Sequence, residues 1–453
     1  MFISTTSAGV LAGIGHGAPG EPGPVVTPLA KQIAWQDFEL GIIYHFDSHV
    51  FMPGGHHHER SRRELVDPAL YTPTKLDTDQ WLEAARAVGA RYAVFTATHH
   101  QGFLQWQSDI YPYGVKHVGW RGGRADLVAD FVESCRRVGI APALYVGLRF
   151  NAYRQVYGYR VNGGRGGTPE EQATYLRICE RMVEELCSRY GDLAEVWFDG
   201  GVPTPEQGGP DVLPIVQKHQ PNALFYHSPA LAHHRWAGSE SGTTGYPCWS
   251  TMPSYEWQSQ GHKGGRARRS LRHGDPDGKV WCPAMADAPL REHDWAWVPN
   301  SEHKLQTVER LVNMYYQSVG RNANLILGAA VNREGLLDEA DLARCAEFGA
   351  EIRRRLPKPL AETSGRGRTL RLRLRRPARI DHVLVMEDLR FGERVRKYVV
   401  EGSAPGGKWQ ALCDGSSIGH KRIQPVGPIE VAAVRLRCLE SVARPVFRSL
   451  AVC

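Results

Sequence analysis

The sequence predicts a parallel (β/α)8-like (TIM) barrel followed by a C-terminal antiparallel β-sandwich. Short apolar, strand-like runs alternate with helix-like segments from residue 38 to residue 328, which is the order of a β/α barrel. From about residue 361 the helical periodicity ends, and residues 369–374 alternate strictly between polar and apolar side chains, as in a half-buried strand. An open doubly wound sheet is the structural alternative, but no G-x-G-x-x-G follows the first strand.

Length and composition limit the classes of protein that fit. The length of 453 residues suits one large barrel with a smaller module. The formal net charge of +7 is low for a nucleic-acid-binding protein of this length. No apolar run reaches the roughly 18 residues that a membrane span needs. We therefore expect neither nucleic acid nor a membrane as a partner, and the sequence leaves the oligomeric state open.

Neither the cysteines nor the histidine-rich loop predicts a metal site. The nine cysteines include no C-x-x-C pair, so we expect buried free thiols rather than disulfides or zinc ligands. The run His56-His57-His58 lies in a loop, where consecutive side chains rarely converge on one ion.

The first 30 residues are predicted to be a leader-like or disordered segment. Residues 1–13 are similar to the apolar middle of an export leader whose basic start is missing, and small residues and then the Pro-rich residues 20–24 follow as they would after a cleavage site. We interpret this segment as a truncated twin-arginine-like leader and expect a secreted protein, with a cytoplasmic protein as the alternative. The barrel is predicted over residues 31–358 and the sandwich over residues 365–453, joined by a linker near residues 356–367.

The barrel elements are predicted in chain order. The first half comprises strand 38–46, helix 79–89, strand 92–97, helix 125–138, strand 140–147, a helix beginning near Pro169 and strand 194–198. The alternation continues more loosely through helix 212–219, strand 223–226, strand 279–282, helix 302–319 and strand 324–328. Further short strands over residues 380–386 and 429–436 belong to the sandwich.

Polar side chains stand where three of the predicted strands end: His45, the pair His99 and His100, and Asp199. Barrel geometry brings such strand ends to one mouth. Asp199 follows an apolar run and precedes two glycines, so it is a candidate nucleophile or base; the alternative is an aspartate that only caps the next turn. Histidines beside a carboxylate suit the hydroxyls of a small polar ligand, and the abundant tryptophans suit packing against a sugar ring.

Several motifs together resemble the α-L-fucosidases of glycoside hydrolase family 29. In chain order they are His45-Phe46, His99-His100-x-Gly102-Phe103-x-x-Trp106, Val196-Trp197-Phe198-Asp199-Gly200-Gly201, Arg235-Trp236-Ala237-Gly238-Ser239-Glu240-Ser241-Gly242 and Val331-Asn332-Arg333-Glu334-Gly335-Leu336-Leu337. The segments 385–388 and 417–421 are similar to the family's C-terminal sandwich. The resemblance covers nearly all of residues 36–453, and its specificity comes from the order and spacing of motifs that are each weak alone.

The resemblance implies a retaining exo-glycosidase that removes α-L-fucose from a fucosylated oligosaccharide or glycoconjugate. The residue that matches the family's nucleophile is Asp199, and the general acid/base corresponds to Glu240 in the branch with the R-W-x-G-x-E-x-G pattern, which acts on α-1,3/1,4-linked fucose. Positional matching assigns sugar binding to His45, His99, His100 and Tyr145, and pocket lining to Trp106, Arg235 and Trp297. No metal or organic cofactor is implied, because two carboxylates suffice for the reaction.

Four positions depart from the family's pattern: Thr98, Gln101, Arg149 and Met285. Charges lost or gained around a sugar site change which sugar hydroxyls can form hydrogen bonds with the protein. One alternative is therefore a related glycosidase that acts on another α-linked sugar or on a natural-product glycoside. A second alternative, from a different class, is a catalytically silent carbohydrate-binding protein.

Overall fold

The N-terminal part of the chain is a barrel of eight parallel strands. In the computed structural model, residues 25–256 and 265–453 are described, and the leader predicted in residues 1–24 lies outside the described residues. The barrel strands are β1 (Leu40–His45), β2 (Tyr92–Thr98), β3 (Ala141–Val146), β4 (Glu195–Trp197), β5 (Leu224–Tyr226), β6 (Arg235–Trp236), β7 (Ala284–Pro289) and β8 (Ala323–Ala330).

The strand order follows the chain around a nearly closed ring. β1 pairs in parallel with β2 on one side and with β8 on the other, which gives the order β5-β4-β3-β2-β1-β8-β7-β6. Between β5 and β6, His233 N donates to Phe225 O across 3.1 Å. The predicted barrel is confirmed, and the open doubly wound alternative is wrong because the first strand lies between the second and the last.

Helices surround the barrel. They are α1 (Ala30–Phe38), α2 (His58–Ser61), α3 (Thr78–Val88), α4 (Leu127–Val138), α5 (Pro169–Arg189), α6 (Leu213–His219), α7 (Gly265–His273), α8 (Val308–Gln317) and α9 (Glu339–Arg355). α5 illustrates how local sequence sets their bounds: Thr168 caps its N-terminus reciprocally with Glu171, and Pro169 opens its first turn. Among the described residues, no helix combines the length and the apolar character that crossing a bilayer requires.

The later barrel strands differ from those predicted. Residues 279–282 were predicted as a strand, but Val280–Trp281 pairs only with Thr251–Met252 in a short antiparallel ladder outside the barrel. The seventh barrel strand is instead β7, whose Ala-rich sequence lacks the β-branched residues typical of a strand. All nine cysteines are free thiols, and all except Cys413 are buried, as the sequence predicted.

The C-terminal domain is built from six antiparallel strands: β9 (Ala361–Arg366), β10 (Thr369–Glu387), β11 (Val395–Ser403), β12 (Trp409–Gly415), β13 (Arg422–Ser441) and β14 (Val446–Val452). The long strands β10 and β13 run through both layers, because irregular register between residues 373 and 382 bends them. β11 and β12 extend one layer, and β14 and β9 extend the other. Apolar residues from both layers form one core, so the predicted sandwich is confirmed.

An acidic residue of the barrel joins the two domains. Glu39, between α1 and β1, forms ion pairs with Lys421 and with His420, whose Nε2 lies 3.0 Å from its Oε1. Burial alone would raise the pKa of Glu39, but the charge of Lys421 and the hydrogen bond from His420 outweigh it and lower the pKa to about 2. Glu39 is thus more stable as a carboxylate in the folded protein than in the unfolded chain.

We expect Glu39→Gln to lower the free energy of unfolding by about 2 kcal/mol at pH 7. Because the folded pKa lies below the unfolded value of 4.5, this contribution is complete above that value and is lost as the pH falls towards about 2. Urea unfolding of wild type and variant between pH 3 and pH 7 measures it. The exposed Glu430 of the C-terminal domain provides a control in Glu430→Gln, and a stability difference at pH 7 equal in both variants would contradict the prediction.

Candidate active site

The barrel ends in a pocket at the carboxyl edge of its strands. Side chains from β1, β3, β4, β7 and β8, together with the loops that follow β1, β2, β4, β6 and β7, form its wall, as expected for parallel strands that end at one edge. The lining residues are Ile43, His45, His56, His58, His99, His100, Tyr145, Trp197, Asp199, Glu240, Asp287, Trp295, Ala296 and Ile326. Ile43, Tyr145, Trp197 and Ile326 also belong to the buried core inside the barrel, so the pocket is closed at its inner end.

The three histidines predicted at strand ends come together in this pocket. The rings of His99 and His100 stack with their centres 3.9 Å apart, and the ring of His45 meets that of His99 edge-on at 5.6 Å. Tyr145 from β3 contacts both His45 and His99, at 6.2 Å and 5.4 Å between ring centres. Four residues that the sequence assigned to sugar binding therefore form one continuous patch.

Hydrogen bonds fix the orientation of two of these rings. His99 Nδ1 donates to the buried carboxylate of Asp47 across 3.2 Å. His100 Nδ1 lies 3.1 Å from Ser61 Oγ, whose own proton goes to the carbonyl of His58. In both rings Nδ1 is then the donor, which leaves Nε2 as a hydrogen-bond acceptor. Acceptors in this arrangement suit the hydroxyl groups of a sugar.

Burial favours the neutral form of several pocket histidines. It lowers the pKa of His45 and of His100 well below the usual range, and the electrostatic interaction with the neighbouring ring of His99 adds to the effect in both cases. For His56 burial lowers the pKa to about 3. Among the described residues, Nδ1 of His45, Nδ1 of His56 and Nε1 of Trp197 are buried without a hydrogen-bond partner. A polar ligand in the pocket offers such partners.

Asp199 lies two residues beyond the end of β4, where Gly200 and Gly201 both adopt positive φ angles of 70° and 76°. A Cβ atom on Gly200 would lie 2.3 Å from the guanidinium of Arg149, and one on Gly201 would lie 2.5 Å from the ring of His227. The two glycines therefore provide both the turn and the space that these neighbours occupy. The carboxylate of Asp199 is exposed at the pocket mouth.

Glu240 lies in the loop after β6 and approaches the pocket from the opposite flank. Its Oε2 accepts a hydrogen bond of 3.0 Å from Nε1 of Trp295, whose ring lies 5.3 Å from that of His45. Glu240 lines not only the pocket but also the open cleft beside Asp199 and a groove on its other flank. It therefore stands where the pocket opens to solvent.

A third carboxyl group, Asp287 of β7, lies in the same site. It lines both the pocket and the cleft, and its Oδ1 accepts a 2.7 Å hydrogen bond from Trp236 Nε1. Burial raises its pKa well above the ordinary value, and the negative charges of Glu240 and Asp199 raise it further. Burial and the two neighbouring charges therefore both favour the protonated form of Asp287.

We expect Asp287→Asn to make the protein more stable at neutral pH than wild type, by about 1 kcal/mol or more. The unfolded chain ionises Asp287 near its ordinary pKa of 3.8, whereas the folded protein holds the proton to a higher pH, so wild-type stability falls as the pH rises above 3.8. The amide retains the hydrogen bond from Trp236 without this dependence. Thermal unfolding from pH 4 to pH 8 should show a difference in unfolding temperature between Asp287→Asn and wild type that increases with pH. The exposed control Asp211→Asn should show no such increase. A difference that stays constant with pH would contradict the assignment.

Three residues predicted to line the pocket lie elsewhere. Trp106 is fully buried outside the barrel strands, where its Nε1 donates to Glu185 across 2.8 Å. Arg235 is fully buried, and its guanidinium bonds the carbonyls of Leu271 and Cys282. Trp297 donates to Asp338, and it is Trp295, two residues earlier, that reaches the pocket. These positions correct the prediction that Trp106, Arg235 and Trp297 line the pocket.

Three of the four departures from the family pattern also lie away from the pocket and cleft. Thr98 and Met285 are fully buried, and Met285 packs in the core inside the barrel. Gln101 is buried, and its amide donates to the carbonyl of Ser61 across 2.6 Å. Only Arg149 lines the cleft beside Asp199.

The histidine-rich loop after β1 contributes to the pocket in a way that the sequence did not predict. His56 and His58 line the pocket, whereas His57 accepts a hydrogen bond from Arg60 N at the start of α2. The three side chains thus diverge. Within the two described ranges, no group of three or more His, Cys, Asp or Glu side chains is arranged to hold a metal ion.

Comparison with known proteins shows that the sequence and the fold are similar to those of α-L-fucosidases. The family model described as "Alpha-L-fucosidase" matches residues 30–354. The chain is 29% identical over 469 residues to the Oryza sativa subsp. japonica protein named "Putative alpha-L-fucosidase 1", covering 92% of this chain and 84% of that protein. It is 26% identical over 463 residues to "Alpha-L-fucosidase 1" of Arabidopsis thaliana, with 93% and 86% covered. A crystal structure of a "putative alpha-L-fucosidase" from Bacteroides thetaiotaomicron VPI-5482 has a TM-score of 0.90 and 43% identity, covering 95% of this chain and 99% of that one.

Proposed function

The chain belongs to the α-L-fucosidase family of glycoside hydrolases, and from this premise we propose that it is a retaining exo-enzyme that releases terminal fucose from α-1,3/1,4-linked glycans. The observation that carries the proposal is that Asp199 and Glu240 line one pocket together with His45, His99 and His100. The family fixes the class of substrate, a fucosylated glycan, and the pocket supports the finer assignment.

The shape of the pocket supports exo action. Its inner end is closed by the barrel core, including Ile43 and Ile326, so a glycan chain cannot extend through the pocket. Only a terminal sugar fits between this floor and the mouth. The neutral rings of His45 and His100 offer hydrogen bonds to its hydroxyls, and Trp295 offers an apolar face.

The two catalytic roles follow from where the carboxyl groups stand. In the proposed mechanism, the carboxylate of Asp199 attacks the anomeric carbon, and the bond to the leaving oxygen breaks as the carboxyl group of Glu240 donates its proton to that oxygen. Glu240 then removes a proton from water, which attacks the glycosyl-enzyme ester and releases fucose with its α configuration. The hydrogen bond from Trp295 Nε1 holds the Glu240 carboxyl group at the mouth.

We propose the α-1,3/1,4 linkage because Glu240 lies in the R-W-x-G-x-E-x-G pattern of that branch of the family. The alternative of a different sugar depended on four departures, and three of them lie away from the pocket and cleft. The fourth, Arg149, lines the cleft beyond the pocket, so it concerns the leaving group more than the fucose. The alternative of a silent binding protein is less well supported, because both carboxyl groups are present.

Hydrolysis of α-1,2-, α-1,3-, α-1,4- and α-1,6-fucosylated oligosaccharides tests the proposal, with NMR detection of the first anomer released. We expect release from α-1,3 and α-1,4 linkages, with α-fucose appearing before mutarotation. β-Fucose as the first product would reject retention, and release confined to α-1,2 or α-1,6 linkages would reject the linkage assignment. Release of another α-linked sugar with fucose untouched would favour the first alternative, and glycan binding without any hydrolysis would favour the second.

We also propose that the protein is exported, on the leader-like character of its first residues. Mass spectrometry of the mature N-terminus from the native host measures this directly. A protein that retains Met1 in the cytosol would reject export.

A further inference from the structure

An open cleft lies outside the fucose pocket and shares Asp199 and Glu240 with it. One wall comes from the segment after β3, where Phe150–Asn151, Val156–Tyr157 and Arg160–Val161 form a small antiparallel sheet. The lining residues on this side include Arg62, Arg149, Phe150 and Tyr157. Since Glu240 protonates the departing oxygen, the remainder of the substrate leaves the pocket through a space that Glu240 borders.

Two guanidinium groups stand on this wall. Arg149 packs against the backbone of Gly200, next to Asp199, and its guanidinium lies over the ring of Phe150 at 5.4 Å. Arg62 lies over the ring of Phe150 at 4.4 Å, and its partner is the exposed Glu59, at 2.9 Å. The buried Nε of Arg62 has no hydrogen-bond partner among the described residues. Positive charge on this wall is therefore only partly neutralised.

An exposed aromatic ring accompanies these charges. Tyr157 is 41% exposed, although large apolar and aromatic side chains are usually covered. Its ring meets that of Phe150 edge-on with 4.8 Å between centres, which holds it in place on the small sheet. An aromatic face beside guanidinium groups is suited to a sugar ring that carries an anionic group.

We propose that this cleft binds the leaving-group sugar of an anionic glycan, with a carboxylate or sulfate oxygen held by Arg149 and Arg62 and the sugar ring packed against Tyr157. The inference rests on the proposed function, because the cleft is adjacent to the fucose pocket and has no separate catalytic group. Guanidinium groups bind carboxylate and sulfate alike through charge-assisted hydrogen bonds.

The opposite flank of Glu240 carries a second pair of arginines, which the experiment must separate from the first. Arg268 and Arg310 line the groove there, and Arg310 is paired with Glu292 at 3.1 Å. That groove does not include Asp199, and no Phe, Tyr or Trp ring as exposed as that of Tyr157 lines it. We therefore assign the anionic sugar to the cleft that contains Arg149.

Three matched substrates test this assignment. Each is a disaccharide with the same fucosyl linkage, and the reducing sugar is glucose, glucuronate or glucose 6-sulfate, so only the group on C6 differs. For wild type we expect kcat/KM to be about tenfold higher for at least one anionic substrate than for the neutral one, the scale of one charge-assisted hydrogen bond. We expect the preference to shrink towards unity in 0.5 M NaCl, because salt screens exposed charges.

Arg149→Gln and Arg62→Gln should each reduce the ratio of anionic to neutral kcat/KM severalfold. The ratio is measured within one preparation, so loss of folded protein cancels. Arg165→Gln is the control, because Arg165 lines a neighbouring surface depression but not the cleft, and it should leave the ratio unchanged. A preference for only one of the two anionic substrates identifies carboxylate or sulfate as the group recognised.

The outcomes separate this inference from the proposed function. If wild type hydrolyses none of the three substrates, the proposed function fails and the inference fails with it. If wild type hydrolyses all three equally, or if neither Arg149→Gln nor Arg62→Gln changes the ratio, the inference is overturned while the function stands. Arg268→Gln is measured in the same way. If this variant alone reduces the ratio of anionic to neutral kcat/KM, the anion lies on the other flank of Glu240, and the assignment to this cleft is wrong.

Discussion

Asp199→Ala is expected to lower kcat/KM for any fucoside by at least about 10³-fold, because the variant has no carboxylate to form the glycosyl-enzyme ester. The loss should appear in kcat with aryl and oligosaccharide substrates alike, since every substrate passes through attack by the same residue. With an aryl fucoside, azide should restore part of the rate. Azide attacks the anomeric carbon from the vacated side, the aryloxide leaves, and the product is β-fucosyl azide.

The matched control is Asp192→Asn, which removes an exposed carboxylate at the opposite end of the same strand and should leave kcat/KM unchanged. Near-wild-type activity in Asp199→Ala would reject Asp199 as the nucleophile. A large loss with no rescue by azide, from a variant that unfolds at the wild-type temperature, would point instead to a role for Asp199 in substrate binding.

The residues at strand ends could be predicted because barrel geometry converts a local pattern into a spatial one. His45, His99, His100 and Asp199 each follow an apolar run, and parallel strands that close into a ring bring their ends together. The prediction needed no knowledge of distant contacts. The sandwich was predictable for a similar reason, since strict alternation of side chains specifies one buried face.

The tryptophans show where local sequence fails. Trp295 and Trp297 lie two residues apart in one loop, and which of them faces the pocket is decided by distant partners. Trp297 is held by Asp338 and by Arg333, whereas Trp295 reaches Glu240 and His45. An indole fits a core as well as it fits a sugar, so the sequence alone gave no basis for preferring one.

Asp287 illustrates a different limit. It lies inside β7 among alanines, where a lone carboxyl group gives no sign of which way it faces. Its chemistry comes from closure of the barrel, which places it near Glu240 and Asp199 and against Trp236. The prediction also placed this strand at the wrong residues, 279–282. The apolar side chains of β7 are too small to mark it as a strand.

Glu240→Gln is expected to separate substrates by the quality of their leaving group. Oligosaccharide hydrolysis should fall by about 10²- to 10⁴-fold, because an alkoxide cannot depart without the proton that Glu240 supplies. Aryl fucosides with a strongly acidic phenol need no such proton, so their bond to the enzyme should still form. The intermediate then accumulates, because water lacks its general base, and a burst of phenol equal to the enzyme concentration should precede a slow steady state.

Azide discriminates the two catalytic roles at this point. In Glu240→Gln it replaces water, needs no general base, and should convert the accumulated ester into α-fucosyl azide, the anomer opposite to that formed by Asp199→Ala. Glu206→Gln, which removes an exposed glutamate in the loop beyond Asp199, is the control and should show no burst. Equal losses for aryl and oligosaccharide substrates, without a burst, would mean that Glu240 is not the proton donor. The acid/base would then have to be sought among the other carboxyl groups of the site, where burial raises the pKa of Asp287 and favours its protonated form.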